Sequence, residues 1–71
     1  MNKNKSEYIS ESDIKIETDR YWDEDDKRVE VVKLTQLSTG LEIAVHSYIG
    51  QVHAYNKALE KLEEKYLNAL N

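Results

Sequence analysis

Val31-Val32-Lys33-Leu34-Thr35-Gln36-Leu37-Ser38-Thr39-Gly40-Leu41-Glu42-Ile43-Ala44-Val45 is the stretch from which the fold can be read. β-Branched and aliphatic residues flank Ser38-Thr39-Gly40, and Gly40 can take the positive φ of a tight hairpin, so two strands and their turn are predicted. After the turn, Leu41, Ile43 and Val45 alternate with Glu42, Ala44 and His46, as in a strand with one face in water. Before it, the apolar residues fall at 29 and 31 and then at 32 and 34. That change of parity predicts a β-bulge near Val31-Val32, with a strand buried on both faces as the alternative.

Upstream, Ile14, Ile16, Thr18 and Trp22 share one face, while Asp13, Lys15, Glu17, Asp19 and Tyr21 share the other. This predicts a half-buried strand, closed by the turn-forming run Asp23-Glu24-Asp25-Asp26-Lys27. Downstream, the period changes near Ser47 from two to 3.6. Val52, Tyr55, Leu59, Leu62, Tyr66 and Ala69, widened by Ala58, Leu67 and Leu70, mark an amphipathic helix from Ile49 or Gln51 to Leu70. Its length of about 30 Å exceeds the roughly 20 Å of six-residue strands, so Tyr66, Leu67 and Leu70 are expected to overhang the sheet. Those three residues are then candidates for self-association into a homodimer. The expected architecture is α+β: residues 1-11 a mobile tail, and 12-71 a three-stranded antiparallel β-meander followed by one long C-terminal helix packed on the sheet.

Seventy-one residues allow only a thin core, and no cysteine is present to staple it or to ligate a metal through sulfur. The formal net charge of -4 disfavours nonspecific binding to nucleic-acid backbones, which needs Lys and Arg to displace counterions. No apolar run reaches the roughly 20 residues of a membrane span, and the lysine-bearing start lacks the apolar segment of a secretory signal. A cytoplasmic protein is expected. Abundant Lys, Asn, Glu, Ile and Tyr without Pro suit an AT-rich bacterial or phage genome.

The order strand, loop, strand, turn, strand, helix, opening with Asp13-Ile14-Lys15-Ile16-Glu17-Thr18, resembles the catalytic domain of bacterial class I peptide chain release factors and their ribosome-rescue relatives. Val32-Lys33-Leu34-Thr35-Gln36-Leu37-Ser38-Thr39-Gly40 looks like that family's Val-Arg-Ile/Leu-Thr-His-Leu/Ile-Pro-Thr-Gly segment, and Gln51 matches the Gln of its Ser-Gln-x-x-Asn-Lys segment. The resemblance implies a ribosome- or tRNA-associated protein, with Lys27, Arg28, Lys33 and Lys57 as candidate RNA contacts. It does not imply the reaction. The loop that carries the catalytic Gly-Gly-Gln in the family is here Tyr21-Trp22-Asp23-Glu24-Asp25-Asp26-Lys27-Arg28, without glycine or glutamine, and the family's Asn-Lys pair aligns with Ala54-Tyr55.

Other chemistry finds little support in the residues. The acids 23 to 26 lack the Gly and distal Glu of a calcium loop. His46 and His53 have no third ligand at zinc-site spacing and read as surface or boundary residues. Ser38, Thr35 and Ser47 have no neighbouring base, and two isolated glycines make no phosphate cradle. No enzyme activity, cofactor or metal is therefore expected. Tyr21 and Trp22 beside Asp23, Glu24, Asp25 and Asp26 combine aromatic anchors with negative charge, which suits a basic protein surface. The expected function is that of a binding module, an inhibitor or regulator of a nucleic-acid-processing or translation protein, with Trp22 as a core residue the competing reading.

Overall fold

The computed structural model describes residues 8–70. A 3-10 turn at Glu11–Asp13 leads into β1 (Ile14–Trp22), followed by β2 (Arg28–Gln36), β3 (Glu42–Ser47) and α1 (Gln51–Ala69). The strands form one antiparallel sheet in the order β1-β2-β3, and the helix packs on one face of it. This is the expected α+β meander with a C-terminal helix. Among the described residues no helix is long and apolar enough to cross a membrane.

Two turns set the register. In the β2–β3 turn Gly40 has φ +77°, and its N–H donates to the Gln36 carbonyl (2.8 Å), while Gln36 N–H donates to the Leu41 carbonyl (2.8 Å). Asp13 fastens the same turn from outside: its carbonyl accepts from Leu37 N–H, and its carboxylate accepts from the Ser38 N–H and hydroxyl. The β1–β2 ladder then runs without interruption from Ile14 opposite Gln36 to Trp22 opposite Arg28. The β2–β3 ladder runs equally unbroken from Thr35 opposite Glu42 to Glu30 opposite Ser47.

An unbroken register removes the expected bulge at Val31-Val32 and realises the alternative. Val32 and Leu34 point to the helix, whereas Val29 and Val31 point to the outer face, and Val29 is nevertheless buried. Tyr21 stands opposite Val29, and Tyr48 follows β3 where the ladder would reach Val29. Flanking aromatics thus cover a valine that has no second layer above it.

The core comprises Val32 and Leu34 from β2, with Ala54, Ala58, Leu59 and Leu62 from α1. Ala54, Ala58, Leu62 and Tyr66 form one row at four-residue spacing, and the two alanines allow close approach to the sheet. Ile9, within the expected tail of residues 1-11, joins this core at 4% exposure, and residues 1–7 of that tail lie outside the described residues. Tyr66 packs against the core and Leu67 is half-buried, so the expected overhang shrinks to Leu70, which is 65% exposed. The physical reason is strand length. β2, the nine-residue strand under the helix, spans about 30 Å, which matches the helix.

The helix covers β2 and β3 and hardly touches β1. A helix is about 10 Å wide and strands lie about 4.8 Å apart, so one helix shields two strands and leaves the third bare. Ile16, at 53% exposure, and Trp22 lie on that bare strip.

Candidate functional site

Asp23 builds the loop between β1 and β2. Its Oδ1 accepts from the N–H groups of Asp25 (2.8 Å) and Lys27 (3.0 Å), and its Oδ2 accepts from the Tyr48 hydroxyl (2.8 Å). Its backbone closes the same loop, with N–H to the Lys27 carbonyl (2.9 Å) and carbonyl from Asp26 N–H (3.0 Å). The Lys27 N–H bond first, and then the Tyr48 hydroxyl, hold the Asp23 carboxyl below its usual range, and the same carboxylate pushes the Tyr48 phenol up.

Asp23 therefore frames the loop, with both of its carboxylate oxygens engaged by hydrogen bonds. Glu24, Asp25 and Asp26 point outward and make no side-chain hydrogen bond or ion pair among the described residues. Asp26 sits at φ +59°, a conformation that Asp tolerates better than most residues. No three acidic or histidine side chains converge into a metal-holding group among the described residues.

Tyr21 and Trp22, adjacent in sequence, are separated by the sheet. Tyr21 lies on the outer face, where its hydroxyl shares a 3.0 Å hydrogen bond with His46 Nδ1 and the two rings meet edge to face at 5.7 Å. Trp22 lies on the helix face of the bare strand and is 63% exposed, so it is not a core residue. Beside it, Glu30 is buried between Arg20, opposite it on β1, and Arg28, two residues back. Both arginine Nε atoms lie 3.1 Å from Glu30 Oε2. Both arginine side chains remain more than half exposed, so solvent screens this triad and its contribution is modest.

Tyr48 and Ile49, absent from the sequence expectation, complete this end of the molecule. The Tyr48–Asp23 bond brings the β3–α1 junction against the loop, and both Tyr48 and Ile49 are exposed. The available sign was an apolar pair at a strand-to-helix junction, where Ser47 takes the helix-entry N–H groups of Ile49 and Gly50 and the ring of His53. His46 and His53 consequently serve different partners on opposite sides of the sheet.

The four candidate RNA contacts are not gathered into one surface. Lys33 lies on the outer face, paired with Glu42 at 3.3 Å, whereas Lys57 lies on the helix near Glu60 at 4.0 Å. Arg28 is engaged by Glu30, and Lys27 belongs to the acidic loop. A groove of about 230 Å³, lined by Ile16, Thr18, Val32, Gln51, Val52 and Tyr55, runs between β1 and the start of the helix. Comparison with protein families, curated proteins and solved structures finds no match to this chain.

Proposed function

We propose that the protein is a non-catalytic binding module whose acidic aromatic end docks on a basic protein surface, as an inhibitor or regulator of a nucleic-acid-processing or translation protein. Trp22 is the anchor, and Glu24, Asp25 and Asp26 supply the charge. The observation that carries this reading is an exposed tryptophan next to three outward-pointing carboxylates on a loop already fixed by the bonds of Asp23. A loop ordered before binding loses little entropy on binding, and a tryptophan desolvated at an interface is the kind of residue that dominates affinity. The scattering of Lys33, Lys57, Arg28 and Lys27 favours this reading over RNA binding.

Affinity capture from bacterial lysate at about 150 and about 500 mM salt tests it, because RNA-backbone contacts weaken steeply over that range. The expected result is one discrete protein retained at the higher salt and lost with Trp22→Ala and with Asp25→Lys. Truncating such an anchor costs about 2 kcal/mol or more, a loss of roughly thirtyfold in affinity. Recovery of ribosomal subunits or tRNA at low salt only, indifferent to both variants, would refute it.

A further inference from the structure

β1 has a second edge, and part of its backbone is open there. Asp13 and Asp23, at the two ends of the strand, both bond toward β2, through the Asp13 carbonyl to Leu37 and the Asp23 N–H to Lys27. Antiparallel ladders alternate, so the odd-numbered residues between them also bond inward, and the even-numbered ones direct N–H and C=O to the free edge. Two of those outward groups are taken locally. Ile14 N–H donates to the Glu11 carbonyl, and Arg20 N–H donates to Asp19 Oδ1 (2.7 Å). Ile16 and Thr18, with the Ile14 carbonyl, form one open window, separated by the engaged Arg20 N–H from the outward groups of Trp22. On the helix face this window carries the exposed Ile16 beside the apolar groove.

We propose that this window joins a second copy of the chain, antiparallel across a two-fold axis at Ile16. Side-chain charge and the open backbone together select that register. An axis at Ile14 would set Lys15 against the partner's Asp13, but it needs the Ile14 N–H, which the Glu11 carbonyl holds. With the axis at Ile16, Lys15 stands opposite the partner's Glu17 twice, at the non-hydrogen-bonded positions where side chains approach most closely. Moving the axis to position 15, 17 or 19 sets Lys15, Glu17 or Asp19 against its own copy. At position 18, Glu17 meets the partner's Asp19, and at position 20 arginine meets arginine. The Ile16 register also suits the open backbone: Ile16 exchanges two hydrogen bonds with the partner's Ile16, and each Thr18 N–H reaches an Ile14 carbonyl. The same register sets Asp13 opposite the partner's Asp19, a repulsion that the Ser38 N–H and hydroxyl bonds to the Asp13 carboxylate offset in part. The product is a six-stranded sheet with both helices on one face and the two grooves adjoining. This goes beyond the proposed contact loop and does not depend on it.

Sedimentation velocity at about 100 μM, near the concentrations at which small interfaces associate, provides the test. The wild type is expected to be dimeric. Lys15→Glu, at an exposed position opposite Thr35, leaves the fold intact but sets a carboxylate against the partner's Glu17, and weakens the dimer at least about tenfold. Adding Glu17→Lys to that variant restores it. Because the chain has no cysteine, Ile16→Cys should form an interchain disulfide under mild oxidation. Thr18→Cys should not, since its own copy lies four residues along, roughly 13 Å away. A monomer at this concentration, a dimer indifferent to Lys15→Glu, or cross-linking at Thr18→Cys but not at Ile16→Cys would overturn the proposal.

Discussion

Asp23 shows how one side chain determines what its neighbours can do. Its carboxyl is held below the usual range by Lys27 N–H and the Tyr48 hydroxyl, so folding favours the ionised form. The stability this contributes is present above the ordinary Asp value of about 3.9 and is lost as pH falls through the lower folded value. Tyr48 responds in the opposite sense. Its phenol is raised by Asp23, so its contribution is present below the ordinary value of about 10 and is lost as pH rises through the higher folded value. Tyr48→Phe is expected to move the Asp23 titration upward in a carboxyl NMR experiment, yet to leave it below the ordinary value, because the Lys27 bond remains. No movement would show that the Tyr48 bond does not form in solution.

Gly40 is the other residue with a single determining property. A Cβ there would meet nothing within 4 Å, so the cost of Gly40→Ala is that of the backbone conformation alone, about 1 to 2 kcal/mol. Chemical denaturation measures it, and a cost near zero would mean that the turn is remade in another form.

Among the elements, β1 was legible in sequence as a strand, but not the half-burial expected of it, since every residue after Ile14 is exposed where the helix covers only β2 and β3. The helix was legible because a four-residue row is hard to mistake. The exact stripe was not legible. Val52 fits the spacing but is 72% exposed, because it faces the groove over bare β1 instead of β2, whereas Ala54 was passed over and is buried. Leu62→Ala is therefore expected to cost about 2 to 5 kcal/mol, and Val52→Ala within about 0.5 kcal/mol, as read from urea midpoints. Ile9 carried no period and was hidden among polar neighbours, since its burial depends on a helix more than forty residues away. Ile9→Ala should lower stability by a few kcal/mol, toward the lower end of the Leu62→Ala range. A melting temperature unchanged by Ile9→Ala would detach the N-terminal segment from the core.

At the scale of the molecule, one helix over a three-stranded sheet leaves a strand uncovered, and both candidate surfaces follow from that shortfall. The acidic run was visible in sequence, but its division of labour was not. Strand parity sends Tyr21 and Trp22 to opposite faces, and the carboxylate of Asp23 turns inward to hold the loop. Glu30 went unremarked in sequence, because its burial arises from Arg20 across the ladder and Arg28 beside it. A dimer joined at Ile16 would carry its two Trp22 loops six residues to either side of the axis, roughly 40 Å apart. It would then engage a two-site target with an avidity that Lys15→Glu removes while leaving single-site affinity unchanged.

Trp22 is the only tryptophan of the chain, and it lies outside the Ile14–Thr18 pairing window, so its fluorescence reports on the contact loop separately from association at the sheet edge. The deciding measurement is its emission as the captured protein is titrated in. A shift from the long-wavelength emission of a water-exposed indole to shorter wavelength, saturating with binding and weakened by Asp25→Lys, is the predicted result. Saturable binding with the emission unchanged would contradict the assignment of Trp22 as the anchor.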